Sequence, residues 1–134
     1  EMLRRAAPRA PAYPGAMTLQ RQDVLALDFP DAHFDQVFTS CTFCSVPRPV
    51  DGLRQLLRVL KPGGELHMFE HTGSTVPVFR QVMDWMTPLS RNFGPEMNRD
   101  TVANVQAAGF IVEKVRNVYL DVVKVIHARK PVIT

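Results

Sequence analysis

The 134-residue chain has no long apolar run, no cysteine framework and no dense block of positive charge. Each absence removes a class of protein. Apolar stretches extend over a handful of residues at most, too few to cross a bilayer as a helix. Two cysteines, Cys41 and Cys44, make no disulfide scaffold and suit a reducing compartment, with the cytoplasm as the default. Sixteen Lys/Arg against thirteen Asp/Glu leave a formal charge of +3, and the arginines are scattered apart from Arg4, Arg5 and Arg9. A nucleic-acid footprint would be denser and interleaved with aromatics, so no nucleic-acid partner is expected. Mild basicity allows at most a weak peripheral contact with an anionic membrane surface. The opening "EMLRRAAPRA" has charge but no apolar h-region behind it, unlike a signal peptide.

What is present fits one globular domain: 46% hydrophobic and 22% charged residues, with enough length for a real core. The chain opens on Glu1 rather than Met, within helix-like sequence, and reads as a piece of a longer protein. Met2–Ala10 has helical character until Pro8 and Pro11 end it. Met17–Leu27 partly alternates and predicts a short strand followed by a loop, and Phe34–Thr42 a second strand rich in β-branched and aromatic residues. "PRPV" opens a helix, with Pro49 suited to its first turn and Val50, Leu53, Leu57 and Leu60 as its apolar stripe. Pro62, Gly63 and Gly64 stop that helix near Leu60, and Glu65–Glu70 follows at once as a strand apolar on both faces. Val76–Met86 predicts a helix, as does Asp100–Ala108 with Asp100 as N-cap and Gly109 beyond its end. Phe110–Val118 and Leu120–Arg129 predict a terminal antiparallel hairpin. Alternating strands and helices closing on a hairpin argue an α/β fold with a mainly parallel sheet.

The stretch "QDVLALDFPDAHFDQVFTS…VPRPVDGLRQLLRVLKPGGELHMFEH" resembles the middle and later motifs of class I S-adenosylmethionine-dependent methyltransferases, nearest the type 11, ubiquinone-biosynthesis-like group. "CTFCSVPRPVDGL" and "FEHTGS" are similar to phospholipid N-methyltransferases and to methyltransferase-like thiol methyltransferases. The resemblance covers nearly the whole chain. It implies a partial Rossmann-like sheet, with residues 1–134 forming a single, N-terminally truncated methyltransferase domain. The family's first two strands, its Gly-x-Gly-x-Gly loop and its ribose-binding acid have no counterpart in these residues. The family's strand order, 3-2-1-4-5-7-6, would make Met17–Leu27 the third strand and Phe34–Thr42 the fourth, with no native partner between them. The first should then be separated, frayed or re-paired.

The resemblance implies S-adenosyl-L-methionine as cofactor and a small or lipid-like acceptor: phospholipid amine, quinone precursor or thiol. Asp23 would accept from the adenine amino group, and the Val24 N–H would meet a ring nitrogen. Met2 would pack on adenine, or fill core. Thr39, Ser40 and Cys41 lie at a strand's carboxyl end, where open α/β sheets bind ligands, and would line the methionine part. Cys44 would line the acceptor pocket with Cys41. As a C-x-x-C pair the two cysteines lack a neighbouring Trp for redox chemistry and a second pair for zinc, and the histidines show no ligand spacing. His71, beside Glu70, is the candidate catalytic base, with a strand-end hydrogen bond as its bland alternative. Trp85 belongs to a bulky stripe with Phe79, Met83 and Met86 that reads as core, or as an acceptor-covering face. The whole reads as a methyltransferase fragment inactive alone, with a non-catalytic binding module or a dithiol redox protein as the alternatives.

Overall fold

The computed structural model describes residues 1–12, 14–72, 76–78, 80–82, 84–85, 99–119 and 121–132. A short helix α1 (Met2–Ala6) ends just before Pro8, as expected, and passes into a 3-10 segment (Ala7–Ala12) that stops just past Pro11. There follow β1 (Phe34–Ser40), α2 (Pro49–Val59), β2 (Leu60–His71), α3 (Thr101–Ala107), β3 (Ile111–Tyr119) and β4 (Val123–Arg129). The described residues between 77 and 85 are helical, as expected. Among the described residues no helix is long and apolar enough to cross a membrane.

The strands order as β1-β2-β4-β3. β1 and β2 are parallel, β4 is antiparallel to β2, and β3 is antiparallel to β4. This is the 4-5-7-6 half of the expected sheet. Among the described residues β1 pairs with β2 alone, and no ladder joins residues 17–27 to its outer edge. The strand expected over Met17–Leu27 does not form. In its place the Asp23 carboxylate accepts from the Leu25 N–H at 2.9 Å and the Asp23 carbonyl from the Ala26 N–H at 2.9 Å, closing a turn. Extended residues with no neighbouring strand have nothing to satisfy their backbone groups, and the aspartate supplies a local alternative.

The "LKPGGEL" block explains how α2 passes into β2 without a spacer. Leu60, the C-cap of α2, is already extended and pairs with Phe34, whereas Gln36 pairs with Glu65. Lys61–Gly64 therefore bulges out of the ladder. Gly63 holds a φ of +75°, and a Cβ on Gly64 would stand 2.8 Å from the Lys61 carbonyl oxygen. The bulge is closed by an ion pair from Lys61 Nζ to Asp35 Oδ1 at 2.7 Å, whose hydrogen bond holds the Asp35 carboxyl below the usual carboxylate range.

One face of the sheet carries the core. Leu66 and Met68 of β2 and Ile126 and Ala128 of β4 cluster with Leu53 and Leu56 of α2 and Val105 of α3, and Glu70 and Val59 are buried as well. Each such apolar side chain contributes about 1.5–3 kcal/mol when fully buried. The buried stripe of α2 is centred on Leu53, Leu56 and Val59, with Val50 and Leu57 packed at its margins. Asp100 caps α3 as expected, accepting from the Ala103 N–H at 2.9 Å, and Gly109 follows with a φ of +105°.

Candidate active site

The parallel pair delivers Thr39, Ser40, Glu70 and His71 to its carboxyl edge, where open α/β sheets bind ligands. Alternation along the strands puts Thr39 and Glu70 on the core side and Ser40 and His71 on the opposite side. Chain pairing ends with the Cys41 N–H donating to the Phe69 carbonyl at 2.8 Å. Cys41 takes a φ of +49°, in the left-handed region that non-glycine residues seldom occupy, and so turns the chain sharply off the sheet.

Glu70 holds that turn in place. Its side chain is 0% exposed, and its carboxylate accepts from the Thr39 hydroxyl at 2.8 Å, the Thr42 N–H at 3.2 Å and the Phe43 N–H at 3.1 Å. Arg99 holds the far side of the same loop, donating to the Phe43 carbonyl at 2.6 Å and the Val46 carbonyl at 2.5 Å. Beneath the edge, buried Lys124 donates to the Thr72 hydroxyl at 3.1 Å and pairs with Asp121 at 3.1 Å. The 39–46 loop is thus fixed by charged groups from two other parts of the chain. Sequence reasoning placed Glu70 at this edge but did not see it as the anchor, and it missed Arg99.

The two cysteines part company. Both are free thiols; Cys41 is exposed, whereas Cys44 is buried, its thiol within 3.5 Å of the Cys41 carbonyl and 3.7 Å of the Ser45 hydroxyl. Cys41 is thus exposed and Cys44 buried beneath it. His71 is half-buried, and burial pushes its imidazole below the ordinary histidine value. Burial thus favours the neutral imidazole, the state a proton acceptor needs. Trp85, the one described residue of that stripe, is 85% exposed, and Val78 and Val82 are exposed as well. Phe79, Met83 and Met86 lie outside the described residues.

The residues expected to meet adenine stand on less. Asp23 is exposed and one of its oxygens is engaged by the turn. Val24 packs inward: a Cβ on Gly52 would lie 3.2 Å from Phe43 and 3.5 Å from Val24, so that glycine lets α2 approach both. Among the described residues none accepts a hydrogen bond from the Val24 N–H. Loop 27–31 behind them is clamped by Arg58, which donates to the carbonyls of Leu27 at 2.8 Å and Phe29 at 2.7 Å and pairs with Asp31 at 2.7 Å. Met2 is 86% exposed, not core filler, and with Arg5, Arg9 and Met17 it lines a groove of about 670 Å³. A cavity of about 530 Å³ between Phe34, Asp35, Gln36 and Lys61–Glu65 lies at the amino ends of β1 and β2, away from the ligand edge.

Comparison with known proteins shows the family and the fold. The profile of the family described as "Methyltransferase domain" matches residues 1–68. The ubiquinone/menaquinone biosynthesis C-methyltransferase UbiE of Pseudomonas fluorescens is 31% identical over 102 residues, covering 76% of this chain and 39% of that protein. The chain thus spans about two fifths of the length of the curated relatives it matches. An S-adenosylmethionine-dependent methyltransferase from Mesorhizobium loti superposes with a TM-score of 0.70 at 21% identity, covering 96% of this chain and 75% of the other. The YcgJ protein of Bacillus subtilis gives a TM-score of 0.74 at 14% identity, covering 97% and 78%. At such identities the structural likeness is one of fold.

Proposed function

The chain belongs to the class I S-adenosylmethionine-dependent methyltransferases, and on that premise we propose that it provides the acceptor side of an enzyme that methylates a lipophilic small molecule. The observation that carries this reading is the fixed carboxyl edge of β1 and β2, which brings Ser40, Cys41 and His71 together where open α/β sheets bind ligands. A quinone precursor is the acceptor we favour over a phospholipid amine or a thiol, and the likeness to a ubiquinone/menaquinone biosynthesis C-methyltransferase supports that choice.

The cofactor brings an activated sulfonium methyl group. The donor set for its adenine edge suits the turn at Asp23: a carboxylate oxygen of exposed Asp23 for the exocyclic amine and the N–H of half-buried Val24 for a ring nitrogen. Met2, on its open groove, would cover the ring face. The backbone turn at Cys41 and the Ser40 side chain would line the path of the methyl group. When a ring carbon gains a methyl it must release its proton, and neutral His71 would accept it. Positioning in line with the donor supplies much of the rate in such transfers. The 134 residues contain no Gly-x-Gly-x-Gly loop, so the chain by itself would bind the cofactor weakly.

Incubating the full-length parent protein with S-adenosylmethionine labelled in the methyl group and a lipid extract tests the reading. Label is expected in a quinone-type lipid, and His71→Ala should lower its rate. Label in phospholipid headgroups would move the assignment to the amine acceptor. No transfer to any component by a protein that binds the cofactor would overturn it in favour of a binding module.

A further inference from the structure

The sheet face turned away from α2 and α3 carries a cluster that methyl transfer does not use. β2 and β4 place His67 directly opposite His127 and Glu65 opposite Arg129. The two imidazoles stack with centroids 4.5 Å apart, and Phe38 stacks on the other side of His67 at 4.7 Å. Glu65 Oε2 lies 3.1 Å from His67 Nε2 and 3.7 Å from His127 Nε2. One ligand atom from each of the three residues falls within 4.8 Å of the others.

The surroundings orient this set. Arg129 engages the other oxygens, with Nε 2.7 Å from Glu113 Oε1 and Nη2 3.3 Å from Glu65 Oε1, which turns Glu65 Oε2 toward the rings. Glu113 Oε2 stands 3.3 Å from His127 Nδ1, favouring the proton on that nitrogen and the lone pair on Nε2. That Nε2 is buried and has no hydrogen-bond partner. Glu65 Oε2 already receives Gln36 Nε2 at 3.0 Å and faces His67, so it does not satisfy His127 as well. Two carboxylates and one guanidinium leave the cluster one negative charge around two imidazoles.

We propose that Glu65, His67 and His127 form a binding site for a divalent transition-metal cation of the zinc class, held by two imidazole nitrogens and one carboxylate oxygen. Imidazole and carboxylate together suit such a cation, and three protein ligands leave a further position for water. Zinc binds nitrogen and oxygen at about 2.0–2.2 Å, so the three side chains must draw together by roughly 1 Å and the stacked rings must tilt to converge their lone pairs. All three are half-buried on an open face, where such movement does not disturb the core. The bound ion would clip β2 to β4. The site is separate from the carboxyl edge and stands independently of the proposed acceptor.

The test is a titration of the metal-free 134-residue chain with zinc, and in parallel with cobalt as a spectroscopic probe. One ion per chain, a raised Tm and a cobalt spectrum without thiolate bands are expected. His67→Gln and His127→Gln should each weaken binding at least about tenfold, and Cys41→Ser/Cys44→Ser should leave it unchanged. Should a histidine variant fail to fold, nitrogen NMR of the unmodified chain decides: zinc should shift the ring resonances of His67 and His127. Absence of saturable binding, unshifted rings, or binding lost in the cysteine variant and kept in the histidine variants would each overturn the site.

Discussion

The two sides of the expected ligand site are built in different ways. Loop 39–46 is tied by the buried Glu70 carboxylate and the Arg99 guanidinium, and it inserts Phe43 and Val46 into the core. Residues 1–22 carry Met2 and lead to Asp23, yet α1 and the 3-10 segment bury no residue at all. Loop 39–46, the proposed acceptor side, is therefore positioned by the same contacts that stabilise the domain. The adenine side rests on one turn and the Arg58 clamp behind it. A methyltransferase needs both halves held at once, and in these residues only one half carries its own support.

Substitutions should expose the contrast, most strongly at Glu70. Glu70→Ala leaves the Thr42 and Phe43 N–H groups without their acceptor, and with unpaired buried donors costing about 1–3 kcal/mol each, about 3 kcal/mol should be lost in urea unfolding. Arg99→Ala removes two charge-assisted bonds to the same loop and should cost about 2 kcal/mol by the same measurement. On the other side, Asp23→Ala should change stability by less than about 0.5 kcal/mol, since the residue is exposed. In the full-length parent it should still weaken cofactor binding about tenfold, the value of one hydrogen bond to a charged group, as read by calorimetry. Equal stability losses at Glu70 and Asp23 would erase the distinction.

The smallest expected effect is a pH slope. Burial depresses the His71 value in the folded chain below its unfolded value of 6.5. Above that pH both states are neutral there and His71 contributes nothing. As pH falls below it, the unfolded chain takes up a proton that the folded chain resists, so stability declines until pH passes the folded value. His71→Gln should flatten this part of the profile when urea midpoints are compared at neutral and mildly acid pH.

Much of the fold was legible because its signals are local. Pro49 opened α2, Pro-Gly-Gly marked the bulge, Asp100 capped α3, and the family motif order gave the strand order. What escaped depends on partners far along the chain. Alternation in Met17–Leu27 suggested a strand, but a strand needs a neighbour and here Asp23 closes a turn instead. That Cys44 is buried while Cys41 is exposed follows from Glu70 and Arg99, which hold their loop from afar. Arg99 reaches Phe43 across 56 positions, a contact no local pattern announces. His67 and His127 show no ligand spacing in sequence because the β2–β4 ladder, not a helix turn, brings them together.

Backbone hydrogen exchange on the 134-residue chain addresses the central claim most directly, because it reads both sides of the site in one measurement. Slow exchange is expected at the Thr42 and Phe43 amides, close to that of the β2 core, and fast exchange from Met17 through Val24. Protection over Met17–Val24 equal to that of Thr42 and Phe43 would contradict it, since a self-supported adenine side would then be present in this chain.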